Sequence, residues 1–226
     1  MITAILSTRD DQMGLALALS ALVPAATDGT IRQAIVVDGG SRDGTLMVAD
    51  EAGCEVLPDD DGEGLRRAGE MARSDWLLFL TPAAVLESGW QNEVLAFIDR
   101  AVMAGEGRRR AAAFRLGRVE GGFAARFAEG AAMLRSGLLA APYACQGLLI
   151  PKSLYQSLGG HRPLPAMADV DLARRIGRRR LWMLRSRAFV RDRAHRPGFG
   201  GALRNAACLA LFLMRLPPRV IGRLAS

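Results

Sequence analysis

An apolar run that ends on an acid, Ala34-Ile35-Val36-Val37-Asp38, passes straight into Gly39-Gly40-Ser41-Arg42-Asp43-Gly44-Thr45. β-Branched residues followed by Gly, Ser and Asp read as a buried strand, a tight loop at its carboxyl end and a helix starting near Leu46. In open α/β sheets, ligands bind outside the carboxyl ends of the strands. Asp38 stands there as a hydrogen-bond acceptor, and Gly39 and Gly40 let a ligand approach the backbone. Asp43 or Thr45 suits the cap of the next helix. Taken alone, the same residues also suit a turn that binds nothing.

The flanking chain fits such a sheet. Residues 2–6 read as a first strand, 7–11 as a polar loop, and 12–22 as a helix with Leu15, Leu19 and Leu22 on one face. Residues 24–30 read as a loop and 31–37 as the second strand. A strand–helix–strand unit of this length implies a parallel pair with a right-handed crossover. Helices are predicted at 46–52, 65–73 and 88–103, and strands at 54–57, 77–80 and 111–116; residues 123–139 also carry helical spacing. The acidic stretch Asp59-Asp60-Asp61 reads as a solvated loop or a cation site. A chain of 226 residues, half of them hydrophobic, suits one α/β domain with a sizeable core.

The string from Val36 to Thr45 resembles the first nucleotide-binding motif of family 2 glycosyltransferases. Four later segments follow in the same order. Residues 74–86 resemble the family's central apolar strand and the start of its metal motif. Ala144-Cys145-Gln146-Gly147-Leu148-Leu149-Ile150-Pro151 resembles a GDQGIFV-type strand, and Leu158-Gly159-Gly160-His161 resembles the GGF turn. Residues 165–175 resemble the MEDVDLxRR segment. The resemblance covers roughly residues 2–184.

It implies a GT-A type, Rossmann-like α/β domain, placed over residues 1–199, with a mixed, largely parallel sheet flanked by helices; the residues of 200–226 read by themselves as a basic amphipathic helical tail. It implies an enzyme that moves a sugar from a nucleotide-sugar donor to an acceptor with inversion. In that scheme Asp38 contacts the nucleoside, Thr8 and Asp10 line the nucleotide pocket, Arg67 points to the nucleotide, and Asp169 is the general base. An inverting displacement needs a carboxylate on the face opposite the leaving group. Without the resemblance, Asp169 reads first as a helix N-cap, with Asp171 favouring the helix dipole.

The chain departs from the family pattern at chemically important positions. The first loop reads Arg9-Asp10-Asp11 where the family has an Asn-Glu pair. Thr81-Pro82-Ala83 stands in place of the metal motif, and Ala83 replaces its decisive carboxylate. The resemblance implies a divalent cation, Mn or Mg. Such ions need hard oxygen ligands, which alanine cannot supply. No metal-ligating residue is therefore assigned, and arginines become the substitutes for neutralising a departing diphosphate. Ala144-Cys145 replaces Gly-Asp, and Ala168 replaces Glu. These changes keep a second reading open: a catalytically silent glycosyltransferase-like protein that binds a nucleotide, a membrane surface or a protein partner.

The net charge of +7 rests on arginine, since Lys152 is the only lysine. From Leu172 to Ser226 there are fourteen arginines and one acid, Asp192. A basic third like this suits phosphate groups, an anionic membrane or a solvated face. Nucleic acid is not expected, because interleaved aromatics and module signatures are missing. Cys54, Cys145 and Cys208 form neither zinc spacing nor a disulfide framework, as expected of a reduced cytoplasmic compartment. The first residues do not read as a signal peptide. His161 and His195 have no ligand spacing. The apolar core at 206–214 falls short of the ~20 residues that span a bilayer. It reads as an interfacial helix, which would place the protein at the inner face of the membrane and suit a lipid-linked acceptor, or as a helix packed on the domain.

Overall fold

The computed structural model describes residues 1–118, 146–164 and 168–190. The helical stretch at 123–139, Ala144-Cys145, Cys208, His195, residues 165–167 and the tail at 200–226 lie outside the described residues. The elements are β1 (Ile2–Thr8), α1 (Gln12–Ser20), α2 (Val23–Thr27), β2 (Ile31–Asp38), α3 (Thr45–Glu51), β3 (Glu55–Pro58), α4 (Gly64–Met71), β4 (Trp76–Leu80), β5 (Ala84–Leu86), α5 (Trp90–Met103), β6 (Ala111–Arg118), β7 (Leu148–Pro151), α6 (Lys152–Ser157), α7 (Ala168–Ile176) and β8 (Leu181–Val190).

The strands form one sheet in the order β3-β2-β1-β4-β7-β6-β8-β5. β1 pairs in parallel with β2 and β4, and β2 with β3. β7 runs antiparallel between β4 and β6, β8 runs parallel to β6, and β5 is antiparallel to β8. The mixed, largely parallel sheet expected from the sequence is therefore present. The carboxyl ends of β1, β2, β3, β4, β6 and β8 share one edge. The sheet also curls. Four residue steps from Leu80 to Ala84 reach at most ~14 Å, whereas a flat sheet would separate β4 from β5 by four strand spacings, ~19 Å.

Strand alternation divides the core between two faces. Ile2, Ala4 and Leu6 of β1 and Trp76, Leu78 and Leu80 of β4 join Leu15, Ala49, Trp90, Val94 and Phe97 on the face covered by α1, α3 and α5. Ile5, Leu77 and Phe79 join Ala68, Leu154, Tyr155, Leu172 and Ile176 under α4, α6 and α7. Both faces of the central strands are covered, which is why those strands read as continuous apolar runs.

Four elements depart from the expectation. The predicted loop at 24–30 contains α2, because Pro24 lies in the first turn of a helix, where its missing N–H removes no bond. β5, α6 and β8 were not anticipated. In β8 an apolar, half-buried alternation is interrupted by Arg185 and Arg187, so charge hides the strand period.

α4 approaches α6 closely at Gly69. A Cβ there would sit 2.3 Å from Tyr155 Cε1, on a rigid ring that is itself fully buried. Gly69→Ala is expected to lower stability by about 1–3 kcal/mol, read as a shifted urea midpoint at unchanged slope.

Candidate functional site

Asp38 ends β2 and is buried. Its Cα lies opposite Thr8 on one side and Pro58 on the other. Its Oδ2 accepts the N–H groups of Gly40 (3.1 Å) and Ser41 (3.0 Å), and its Oδ1 accepts the Ser41 hydroxyl. Gly40 has φ of +84°, a conformation only glycine adopts without strain. The Asp38 carboxylate thus shapes the loop that follows it.

The β1–α1 loop is stitched to the same structure. Gly39 N–H donates to the Thr8 carbonyl at 2.9 Å. Asp10, with φ of 49°, accepts the Arg42 N–H at 2.7 Å and donates its own N–H to Ser41 Oγ at 2.9 Å. Asp43 accepts the N–H groups of Gln12 and Thr45, both at 3.0 Å, while Thr45 Oγ1 accepts Asp11 N–H at 3.2 Å. The two loops are thus cross-bonded, and the second one caps the start of α1. Of the two cap candidates, Asp43 serves both helix starts.

Thr8, Asp10 and Asp38 are therefore brought together at the carboxyl ends of β1 and β2. The Thr8 hydroxyl is buried and has no hydrogen-bond partner among the described residues, and neither has that of Thr81 just beyond β4. Arg67 lies at the edge of this group. Its guanidinium donates to Asp61 (2.7 Å) and to the Pro58 carbonyl (2.8 Å), so it is anchored on the β3–α4 loop. Within the aspartate run, Asp61 accepts from Arg67 and Glu63, and Asp59 accepts the Gly64 N–H that opens α4.

A second group forms at the end of β4. Thr81-Pro82-Ala83 is a tight turn, closed by Ala84 N–H on the Thr81 carbonyl at 3.0 Å. Ala83 offers no ligand atom there. Among the described residues no three acids, histidines or cysteines cluster as a metal site would require. Gly147 closes the wall beside this turn. Its φ is +69°, and a Cβ would lie 2.9 Å from Leu80 Cδ2.

His161 packs edge-on against Phe79 with ring centroids 4.7 Å apart and is almost wholly buried. Its Nε2 lies 3.2 Å from Asp169 Oδ1. Its Nδ1 lies 2.9 Å from the Tyr155 hydroxyl, which also accepts the His161 backbone N–H and faces the Leu65 carbonyl at 3.1 Å. Burial pushes the Tyr155 phenol above its usual value, so it keeps its single proton. Sequence reasoning assigned no role to His161 or Tyr155, because the glycine turn at 159–160 makes their contact and no spacing marks it.

Asp169 lies in the first turn of α7 rather than before it, so it is not the N-cap. Its side chain is 30% exposed, and Oδ2 makes no hydrogen bond with a described residue. Asp171 differs: Arg175 binds its Oδ2 at 2.7 and 2.8 Å, and Arg162 lies 3.6 Å from Oδ1.

No family model matches the chain, and no curated protein matches it by sequence. Solved structures do match. Glucosyl-3-phosphoglycerate synthase from Mycobacterium tuberculosis, bound to Mn2+ and uridine-diphosphate-glucose, superposes with a TM-score of 0.60 at 19% identity, over 96% of this chain and 80% of that one. The same enzyme with phosphoglyceric acid gives 0.62 at 20% identity, over 96% and 81%. Residues 1–349 of TarS from S. aureus give 0.65 at 13% identity, over 99% and 69%.

The Thr45 hydroxyl and the Gln12 N–H hold the Asp43 carboxyl below its ordinary value. A depressed carboxyl adds stability above its unfolded value and loses it as pH falls through the folded one. The gap in denaturant midpoint between the native chain and Asp43→Asn is therefore expected to be widest near neutrality and to close below about pH 4. A gap that stays constant with pH would remove Asp43 from the clasp. The mixed sheet, its helical layers and the loops at its carboxyl edge together give this chain the GT-A fold of glycosyltransferases.

Proposed function

We propose that this protein transfers a sugar from a nucleotide-sugar donor to an acceptor hydroxyl, with inversion and with Asp169 as general base. The observation that carries the reading is the state of Asp169: one oxygen held by a buried histidine and the other without a hydrogen-bond partner among the described residues. The acceptor oxygen attacks the anomeric carbon while Asp169 takes its proton. The bond from that carbon to the nucleoside diphosphate breaks, and the diphosphate leaves with the electron pair.

The proton count favours this state. If Tyr155 donates to Leu65, a neutral His161 carries its proton on Nδ1 and turns a bare Nε2 toward Asp169. If Tyr155 donates to Nδ1, Nε2–H donates to Asp169 Oδ1. An ionised base selects the second arrangement. Tyr155 and His161 then position the carboxylate without touching substrate.

On the donor side, Thr8 offers an unspent hydroxyl, Asp10 and Asp38 fix the loops around the nucleotide, and Arg67 stands at the rim. The related synthase structure holds Mn2+. The residues described here do not fit such an ion, since Thr81 contributes only a neutral hydroxyl and Ala83 nothing, so no step is routed through a metal. Charge on the departing diphosphate falls to arginines. Arg115, in the carboxyl half of β6, has a buried Nε with no partner among the described residues. The same Ala83 favours a second reading, a silent relative that only binds.

Calorimetric titration with UDP, GDP and dTDP and their sugars, with and without Mn2+, tests the donor site. Metal-independent binding of one nucleotide is expected. Failure of all of them in a folded sample would move the assignment to the silent relative. For transfer, Asp169→Asn is expected to lower kcat by about 10²–10⁴-fold with donor affinity unchanged. His161→Phe keeps the packing on Phe79 and should lower kcat by about ten- to a hundred-fold, with donor KM unchanged. Full turnover in Asp169→Asn would remove Asp169 from the mechanism.

A further inference from the structure

The two turns that lead into β6 and β8 have the same sequence, Gly107-Arg108-Arg109-Arg110 and Gly177-Arg178-Arg179-Arg180. Because β6 and β8 are parallel neighbours with Ala111 opposite Leu181, the turns lie side by side. Ala111 N–H donates to the Arg180 carbonyl at 2.8 Å and joins them directly. They stand at the amino ends of the strands, on the edge opposite the candidate cleft.

Arg110 is spent on Glu106 and on the face of Trp182, 5.9 Å from the ring centroid. Arg108, Arg109, Arg178, Arg179 and Arg180 are exposed, and their guanidinium groups have no hydrogen-bond or ion-pair partner among the described residues. Large apolar side chains lie among them. Trp182 is 48% exposed, Met103 87% and Val102 60%. Val102 packs beside the first turn, within 2.9 Å of where a Cβ on Gly107 would sit.

A cavity of about 210 Å³ between α5 and Trp182 is lined by Phe97, Ala101 and Ala104 and rimmed by Arg100, Glu106 and Arg110. It is smaller than the ~300–1,000 Å³ of ordinary small-molecule sites. The feature to explain is thus the surface: five unpaired guanidinium groups with exposed apolar side chains between them.

We propose that this edge docks on an anionic bilayer, with the arginines at headgroup phosphates and Trp182 and Met103 in the interface. Clusters of four to eight basic side chains bind anionic lipid surfaces, and tryptophan favours headgroup depth. Nucleic acid would meet the same positive charge but would gain nothing from Met103 and Val102, and Trp182 alone makes no stacking platform. Docked this way, the cleft stands roughly 25 Å from the surface, about the length of β6, and faces away from it. The inference does not depend on the transferase reading.

The test uses the full chain with vesicles of phosphatidylcholine alone or mixed with phosphatidylglycerol. Trp76 and Trp90 are buried, so a change in tryptophan emission on docking reports Trp182. The expected result is a blue shift and co-sedimentation with the mixed vesicles only, both reversed by salt. Replacing Arg108, Arg109, Arg178 and Arg179 with Ser on these exposed turns should weaken partitioning by about five-fold per arginine, roughly several hundred-fold together. Partitioning unchanged in that variant would place the contact in the basic tail instead and overturn the proposal. So would equal binding to pure phosphatidylcholine, or the same Trp182 shift with a short DNA duplex.

Discussion

The carboxyl edge of this sheet depends on one buried negative charge. Asp38 has lost its water to burial, and an ionised carboxylate there must be matched by donors. Three donors from the next three residues supply that match, and in doing so they fix the backbone of the loop. The loop in turn presents Ser41 and Arg42 to Asp10, and Asp43 to the start of α1. A carboxylate offers about four lone-pair directions. Three are taken, so Asp38 has one left for a ligand. Of the two roles that the sequence leaves open, the turn role is the one these bonds display, and it does not use up the carboxylate.

The parallel strands and their crossovers were legible because each is a short apolar run closed by Gly, Ser or Asp. The helices at 12–20, 45–51 and 90–103 followed from their spacing. What escaped the reading shares a physical cause. β5 is three residues long and carries no period. β8 alternates, but arginine occupies its outward positions and disguises the strand as a charged segment. Pro24 is read as a breaker, although in a first turn it starts a helix. The contact of Tyr155 and His161 with Asp169 is tertiary: α6 and a glycine turn create it, and the residues are six and eight positions apart on different elements. The resemblance located Asp169, and the packing around it explains how a carboxylate at that place is held.

The arginines divide by what they do. Arg175 and Arg162 hold Asp171, Arg67 anchors the loop beyond β3, and Arg66 pairs with Glu63 and Glu70. These groups are spent inside the architecture of the candidate site. Apart from Arg110, the guanidinium groups of the two GRRR turns have no side-chain partner among the described residues. The basic side chains are thus not spread evenly over the described surface. Some brace the carboxyl edge, and others collect on the opposite edge, where Glu106 is already paired with Arg110. Charge left unpaired on one edge attracts an anionic surface without disturbing the loops at the other.

Asp169 and Asp171, two residues apart on one helix, separate the active reading from the silent one. Asp171 is tied to arginine: Arg175 grips its Oδ2, and the Arg162 guanidinium lies 3.6 Å from Oδ1 as an ion pair. Among the described residues, Asp169 is held at one oxygen, by a histidine whose far nitrogen is itself held by a buried tyrosine. An acid that closed a helix end would have engaged the first N–H groups of α7, but Asp169 sits inside the turn and points at His161 instead. The loss at Ala83 bears on a different half of the reaction. In the proposed scheme it removes help for the leaving diphosphate and leaves the proposed base in place. A slow transferase that neutralises its leaving group with arginine is consistent with both observations, whereas a purely structural helix start accounts for neither the buried His161 nor the unspent oxygen.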